Sequence, residues 1–344
     1  MSAPRVRSRS GWSGRETAAH GLALAVCLLL LAGTGCERSG AKRNPSGLFV
    51  VTQGGRAGYI DKTGKLAIPV QFDKAYGFTD GLAVVVLGGR TGFIDEEGRY
   101  AVNPQYDDAF SFYEGLAAIK SNGRMGYIDK KGEVIIPPLY EEVGDFSGGL
   151  ARVTLGGRSG YIDKKGKLVI SPQFDAARKF SEGLALVQVG GLWGFVKPDG
   201  QVAISPQFEE AYDFAEGLAL VKSGGKYGFI DQEGKLAIEP RFDNGYSFSE
   251  GLATVGVGDR GGYIDKSGKP VIAPQFESVA PFAEGLARVK LGGRWGYIDR
   301  EGKIVINPQF EEAFDFNGGL AEVVVGGARG YIDRDGKFVW NPSS

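Results

Sequence analysis

The chain of 344 residues carries 56 glycines, about twice ordinary usage, and its 40 basic and 41 acidic side chains leave a net charge of −1. The single histidine, His20, and both cysteines, Cys27 and Cys36, lie near the N-terminus. Beyond residue 36 this excludes Ser-His-Asp and Cys-His catalysis, His or Cys zinc sites, disulfides and His-ligated haem, and the balanced charge offers no bulk basic field for nucleic acid.

In chain order, Arg5, Arg7, Arg9 and Arg15 stand against one acid, Glu16, before an apolar run over 21–32 that ends in Gly33-Thr34-Gly35-Cys36. A basic start, a short apolar stretch and small exit residues describe an export signal over 1–35. The run is about 15 residues even when extended to Gly35, short of the roughly 20 that a membrane span needs; a retained anchor is the alternative. The small residues ahead of Cys36 resemble a bacterial lipoprotein lipobox, with Gly33 where Leu is usual. That resemblance implies cleavage before Cys36 and its lipidation, whereas ordinary cleavage would leave an unpaired thiol. Residues 36–46 then form the lipidated cysteine and a polar tether. The expected location is the cell envelope, on the periplasmic or surface face of a membrane.

From residue 47 to 342 a 34-residue period takes over. The first glycine of Gly-Tyr/Phe-Ile-Asp falls at Gly58, Gly92, Gly126, Gly160, Gly194, Gly228, Gly262, Gly296 and Gly330, and the Gly-Leu-Ala glycines run in phase from Gly81 to Gly319. A helical repeat of this period is excluded: glycine and proline cost about 1 and 3 kcal/mol in a helix interior, and no window shows helical apolar spacing. Segments such as Ala151-Arg-Val153-Thr-Leu155 alternate with period two, which is strand. The representative unit predicts strands over 286–291, 295–298 and 303–306, with turns at Gly292-Gly293 and Asp299-Arg300-Glu301-Gly302. A turn-rich linker carrying Phe310 and Phe316 follows.

Trp193-Gly194, Trp295-Gly296 and Tyr227-Gly228, with the Gly-Tyr/Phe-Ile-Asp, Pro-Gln-Phe and Phe-x-Glu-Gly-Leu-Ala elements, resemble the WG-repeat (WG β-repeat) family. The Trp itself is replaced by Ala57, Thr91, Met125, Ser159, Gly261 and Arg329. The resemblance implies a β-rich repeat module, frequent in bacterial secreted or surface-linked proteins, with no established catalytic residue to carry over. One unit buries too little to fold alone, so stability is a property of neighbouring units. The expected fold is all-β: nine three-stranded meander repeats in an open superhelical β-solenoid. A closed β-propeller-like ring is the alternative, disfavoured because propeller blades usually take four strands and about 40 residues, four to eight at a time.

Three columns resemble chemistry. The Asp of Ile-Asp, from Asp61 to Asp333, suggests either a calcium ladder or a turn aspartate. The carboxylates at Asp73, Asp107, Glu141, Asp175, Glu209, Asp243, Glu277 and Glu311, and those preceding Gly-Leu-Ala, recur unit after unit opposite a basic column from Arg56 to Arg294. A glycosidase needs one distinctive carboxylate pair, so inter-unit ion pairs or a solvated face fit better. Gly58 to Leu66 is a near miss to a phosphate loop, with wrong spacing and no helix. The variable Trp position is different, because buried columns tend to hold residue size. Trp193, Tyr227 and Trp295 are the candidate ligand contacts, as a stripe that stacks on a sugar or grips a peptide; padding of unit interfaces is the alternative. The functional reading is a non-enzymatic, lipid-anchored scaffold for a protein or glycan partner, without catalytic residues, metal or cofactor. A structural spacer without ligand is the second reading, and a glycan hydrolase a distant third.

Overall fold

Each unit turns back on itself at two glycine-bearing corners. In the unit over 142–174 the strands are Glu142–Val143, Leu150–Leu155, Arg158–Asp163 and Leu168–Phe174, paired antiparallel in that order. Gly156 and Gly157, at φ of 60° and 70°, form the two-residue hairpin that matches strand twist. At the next corner Asp163 Oδ1 accepts from the N–H groups of Lys165 and Lys167, both at 2.9 Å. The same turn is built on Asp61, Asp95, Asp129, Asp231, Asp265, Asp299 and Asp333. This is the Asx-turn role of that column.

The fourth strand explains the Gly-Tyr/Phe-Ile-Asp glycine. Between the pairs Ser159↔Phe174 and Tyr161↔Ile170 the fourth strand holds two more residues than the third, and the surplus bulges onto Gly160. In the equivalent place a Cβ on Gly228 would lie 2.5 Å from the Ile238 carbonyl oxygen and 2.6 Å from the Pro240 nitrogen. The recurring proline sits on this edge strand, where a missing N–H costs no ladder bond and discourages pairing with another chain.

The computed structural model describes residues 44–343, and these fall within one compact unit. The expected export signal, Cys36 and the first part of the expected tether lie outside the described residues. Among the described residues there are nine sheets, the first of three strands (49–72) and eight of four strands (74–106, 108–140, 142–174, 176–208, 210–242, 244–276, 278–310 and 312–343), hereafter blades 1 to 9. The expected three-stranded meander is therefore one strand short. In six of those eight blades the missed strand has only two residues, as in Glu210–Ala211, too few to show a period.

The expected open solenoid is overturned by the number of cores. Each core cluster lies between two consecutive blades, and an open row of nine would have eight such interfaces. Nine are present, the ninth joining Phe49, Val51 and Ile60 of blade 1 to Leu320, Tyr331, Val339 and Trp340 of blade 9. Every interface also holds an aromatic pair, from Tyr59–Phe78 at 5.1 Å to Tyr297–Phe316 at 4.9 Å, and Phe49–Tyr331 at 5.6 Å closes the set. At the closing interface the Tyr331 hydroxyl donates to the Val50 carbonyl at 2.9 Å and the Asn44 N–H to Asn317 Oδ1 at 2.7 Å. The chain is a closed nine-bladed β-propeller. Two-residue hairpins and first strands of two or six residues fit four strands into 34 residues, so a blade needs fewer than the roughly 40 residues assumed for it.

Replacing Gly228 by alanine should cost about 1–3 kcal/mol, the range for forcing atoms into filled space. Gly77, which has open space around it, should accept alanine within about 0.5 kcal/mol. Denaturant melts of the two variants check this; equal stability would refute the bulge contact.

Candidate functional site

Successive equivalent positions in a ring lie closest where the radius is smallest. Hydrogen bonds between positions one repeat apart occur at the turn joining first and second strands. Ser147 Oγ donates to the Phe180 carbonyl and Ser181 Oγ to that of Phe214, both at 2.7 Å. That turn therefore faces the axis, and the fourth strand is the outer edge. In the same turn Asp80, Glu114, Glu182, Glu216, Glu250 and Glu284 hold φ between 51° and 55°, a left-handed conformation that non-glycine residues rarely adopt. What they gain is a bond to the next blade: Glu284 accepts from Gly318 and Gly319 N–H at 2.7 and 2.9 Å, and Glu182 from Glu216 and Gly217 at 2.7 and 2.9 Å. Gly148 and Gly318 occupy this position in blades 4 and 9 and bring no carboxylate.

The opposite face carries the Gly-Gly hairpins and the second acidic column. Asp73 pairs with Arg56 of blade 1 at 2.6 Å and accepts from Gly88 N–H of blade 2 at 2.7 Å, bridging the two. Arg90–Asp107, Arg124–Glu141, Arg158–Asp175, Lys226–Asp243 and Arg294–Glu311 repeat the pairing. Backbone N–H groups of Gly157 and Gly156 hold the Glu141 carboxyl below its usual value, and those of Gly327 and Gly326, with Arg294, do the same for Glu311. These carboxylates are tied into inter-blade links; among the described residues no group of three or more His, Cys, Asp or Glu is placed to share a metal ion.

The variable position lies on the third strand, facing the next blade. Ala57, Thr91, Met125, Ser159 and Tyr227 are buried there, Trp193 and Trp295 are half-buried, and Arg329 is exposed. Tyr227 donates its hydroxyl to Glu210 Oε2 at 2.6 Å, and burial pushes that phenol well above its usual range. Trp193 packs on the core between blades 5 and 6 and Trp295 on that between blades 8 and 9. Cations cover all three rings: Arg178 lies 6.0 Å from the Trp193 ring, Lys222 5.3 Å from Tyr227 and Arg288 5.3 Å from Trp295. Trp193 and Tyr227 stand on adjacent blades; Trp295 is two blades further round.

Sequence reasoning missed what these side chains lean towards. The opposing residue lies 18 positions on, as the Gly261 position shows: a Cβ there would meet Val279 at 2.7 Å. At that offset Trp193 is matched with Ala211, Tyr227 with Gly245, Trp295 with Ala313 and Gly261 with Val279, whereas Met125 is matched with Val143 and Ala57, Thr91 and Ser159 with Ala75, Ala109 and Ala177.

The WG containing repeat family matches the chain over residues 58–90, 92–124, 125–158, 160–193, 193–227, 227–260, 262–295 and 295–327, and the chain belongs to that family. Each matched segment begins on or beside the third strand of one blade and ends near the hairpin of the next, so the sequence repeat straddles two blades. No curated protein matches the chain. Among solved structures, the crystal structure of a eukaryotic initiation factor is similar with a TM-score of 0.61 at 10% identity, covering 85% of this chain and 94% of that one. Dihydro-heme d1 dehydrogenase NirN in complex with DHE has a TM-score of 0.47 at 16% identity, covering 77% and 74%. Kluyveromyces lactis Hsv2p has 0.41 at 10%, covering 66% and 92%. The likeness to the initiation factor concerns the fold alone.

A carboxylate held below its usual value stabilises the fold above the ordinary carboxylate range, about 4.3 for Glu, and loses that contribution as pH falls through the lowered value. Glu311→Gln should therefore melt below wild type at neutral pH, with the gap closing as pH drops towards 3. A pH series of melting temperatures checks this; a gap that persists at pH 3 contradicts the assignment.

Proposed function

We propose that this propeller is a non-enzymatic binding scaffold, held at the cell envelope by lipidated Cys36, that recognises a protein or glycan partner through its variable column. One observation carries the reading. Hairpin glycines, turn aspartates, bulge prolines and bridging carboxylates recur at equivalent positions in most blades, where they build the turns and the links between blades. At the variable position the nine blades carry eight different residue types, which closure does not require. A frame that holds constant with one position that changes is the division expected of a scaffold with a recognition surface. Half-buried Trp193 and Trp295 present aromatic surface with cations over it, an arrangement suited to stacking on a flat sugar face or a peptide side chain.

The test is in-cell crosslinking followed by identification of the captured partner, with Trp193, Tyr227 and Trp295 all replaced by alanine as the comparison. Loss of capture with an unchanged melting temperature supports recognition by these residues. Unchanged capture and unchanged stability would remove them, and lost stability alone would leave them as padding. For the anchor, Cys36→Ala should move the processed chain out of the membrane fraction; protein that stays would refute lipidation.

A further inference from the structure

At the interface of blades 4 and 5 the variable position is Ser159 and the residue facing it is Ala177, so both sides are small. Both are nearly closed off from solvent, at 4% and 9% exposed. A cavity of about 380 Å³ opens there, on the face that carries the hairpins, with Ser159 and Ala177 at its floor and Arg152 and Thr154 on its wall. Glu141, Glu142 and Asp175 stand at the rim.

The interface of blades 8 and 9 is the same site with its occupant built in. Four repeats on from Arg152, Ser159 and Ala177 stand Arg288, Trp295 and Ala313. There the indole packs on the core cluster that includes Ala313, with the Arg288 guanidinium 5.3 Å from its ring. Arg288 reaches across the interface to the Ala313 carbonyl at 3.0 Å and to Asp315 at 2.8 Å. In blade 5 the residue matching Asp315 is Lys179, which offers no carboxylate. Arg152 accordingly stays on its own blade, donating to Thr154 Oγ1 at 3.0 Å and Glu142 at 3.2 Å. Its side chain is 22% exposed, so it is held at the wall. The result is a recess lined by Arg152, Ser159 and Ala177 at the place where blade 8 carries an indole, with the arginine turned to its own blade. Interfaces that lack a large aromatic elsewhere are filled from the other side, as by Val143 and Val279, or have no arginine at the wall position, as with Val50 and Val84.

We infer that the Ser159 socket takes the indole ring of a tryptophan presented by a partner protein. This deepens the proposed recognition role of the variable column and rests on it. The ring would lie between Ala177 and the Arg152 guanidinium, with its N–H near the rim carboxylates. Those three acids favour a neutral or cationic ligand over an anionic one.

The probe is N-acetyl-L-tryptophanamide, titrated into the full chain and followed by ligand-observed NMR, with N-acetyl-L-leucinamide and indole-3-acetate as controls. Wild type should bind the tryptophan amide saturably in the millimolar range and the two controls at least tenfold more weakly. Ser159→Trp, which fills the socket in cis as Trp295 does, should weaken binding at least tenfold while melting no lower than wild type. Ala177→Val, copying the fill at Val143, is the second blocking variant should the first fail to fold. Absence of saturable binding by wild type, or undiminished binding by a folded blocking variant, overturns the proposal. If either occurs while the Trp193/Tyr227/Trp295 variant still loses a captured partner, the socket is wrong and the scaffold reading stands.

Discussion

The contact on which the rest depends joins the third-strand aromatic of one blade to an aromatic of the next. Tyr161 on Phe180, Phe195 on Phe214 and Phe229 on Phe248, each with centroids 4.8–4.9 Å apart, are three of its nine instances. Each ring belongs to a core shared between two blades, so no blade owns a complete core of its own. An open row would leave one half-core exposed at each end. Closure removes both, and Tyr331 reaching Phe49 and Val50 is where it happens. The first blade shows the adaptation. Asn44 stands where other blades carry phenylalanine, Tyr331 packs on Phe49 instead, and Asn44 bonds Asn317. Blade 1 and blade 9 meet without exchanging a strand among the described residues, so side-chain packing and a few hydrogen bonds close the ring.

Polar groups serve the same end at the two faces. On one, carboxylates in left-handed turns cap backbone N–H groups of the following blade; on the other, Arg–Asp pairs hold the hairpin of the next blade. Exposed pairs of this kind contribute only tenths of a kcal/mol each, but every one spans an interface, so they fix blade angle more than they add stability. This accounts for ionisable residues that recur in register without forming a reactive centre. It also separates the repeated frame from the column free to differ, which is where recognition is proposed to reside.

Much of this was legible in the sequence. The 34-residue register, the strands from Ala151 to Leu155 and Arg158 to Ile162, the Gly-Gly hairpins and the turn aspartates all follow from period-two alternation and local turn chemistry. The first strands did not, because Glu210–Ala211 and its counterparts exist only through pairing with the strand that follows. Closure did not either, since Phe49 and Tyr331 are 282 residues apart and nothing local to either marks them as partners. Trp193, Tyr227 and Trp295 stood out by their variability. Their complements, Ala211, Gly245 and Ala313, did not, because small residues raise no signal until the blade opposite is known. Ser159 was overlooked for the same reason: its meaning lies in the room it leaves beside Ala177.

The most direct test of the ring is a pair of distances between spin labels, in a chain whose Cys27 and Cys36 are replaced by serine. Gln53, Leu87 and Val325 are equivalent exposed positions in blades 1, 2 and 9. Pulsed dipolar spectroscopy should give the same Gln53–Val325 and Gln53–Leu87 separation to within a few ångströms, since both pairs sit on neighbouring blades. A Gln53–Val325 distance several times the Gln53–Leu87 distance would mean that the array is open.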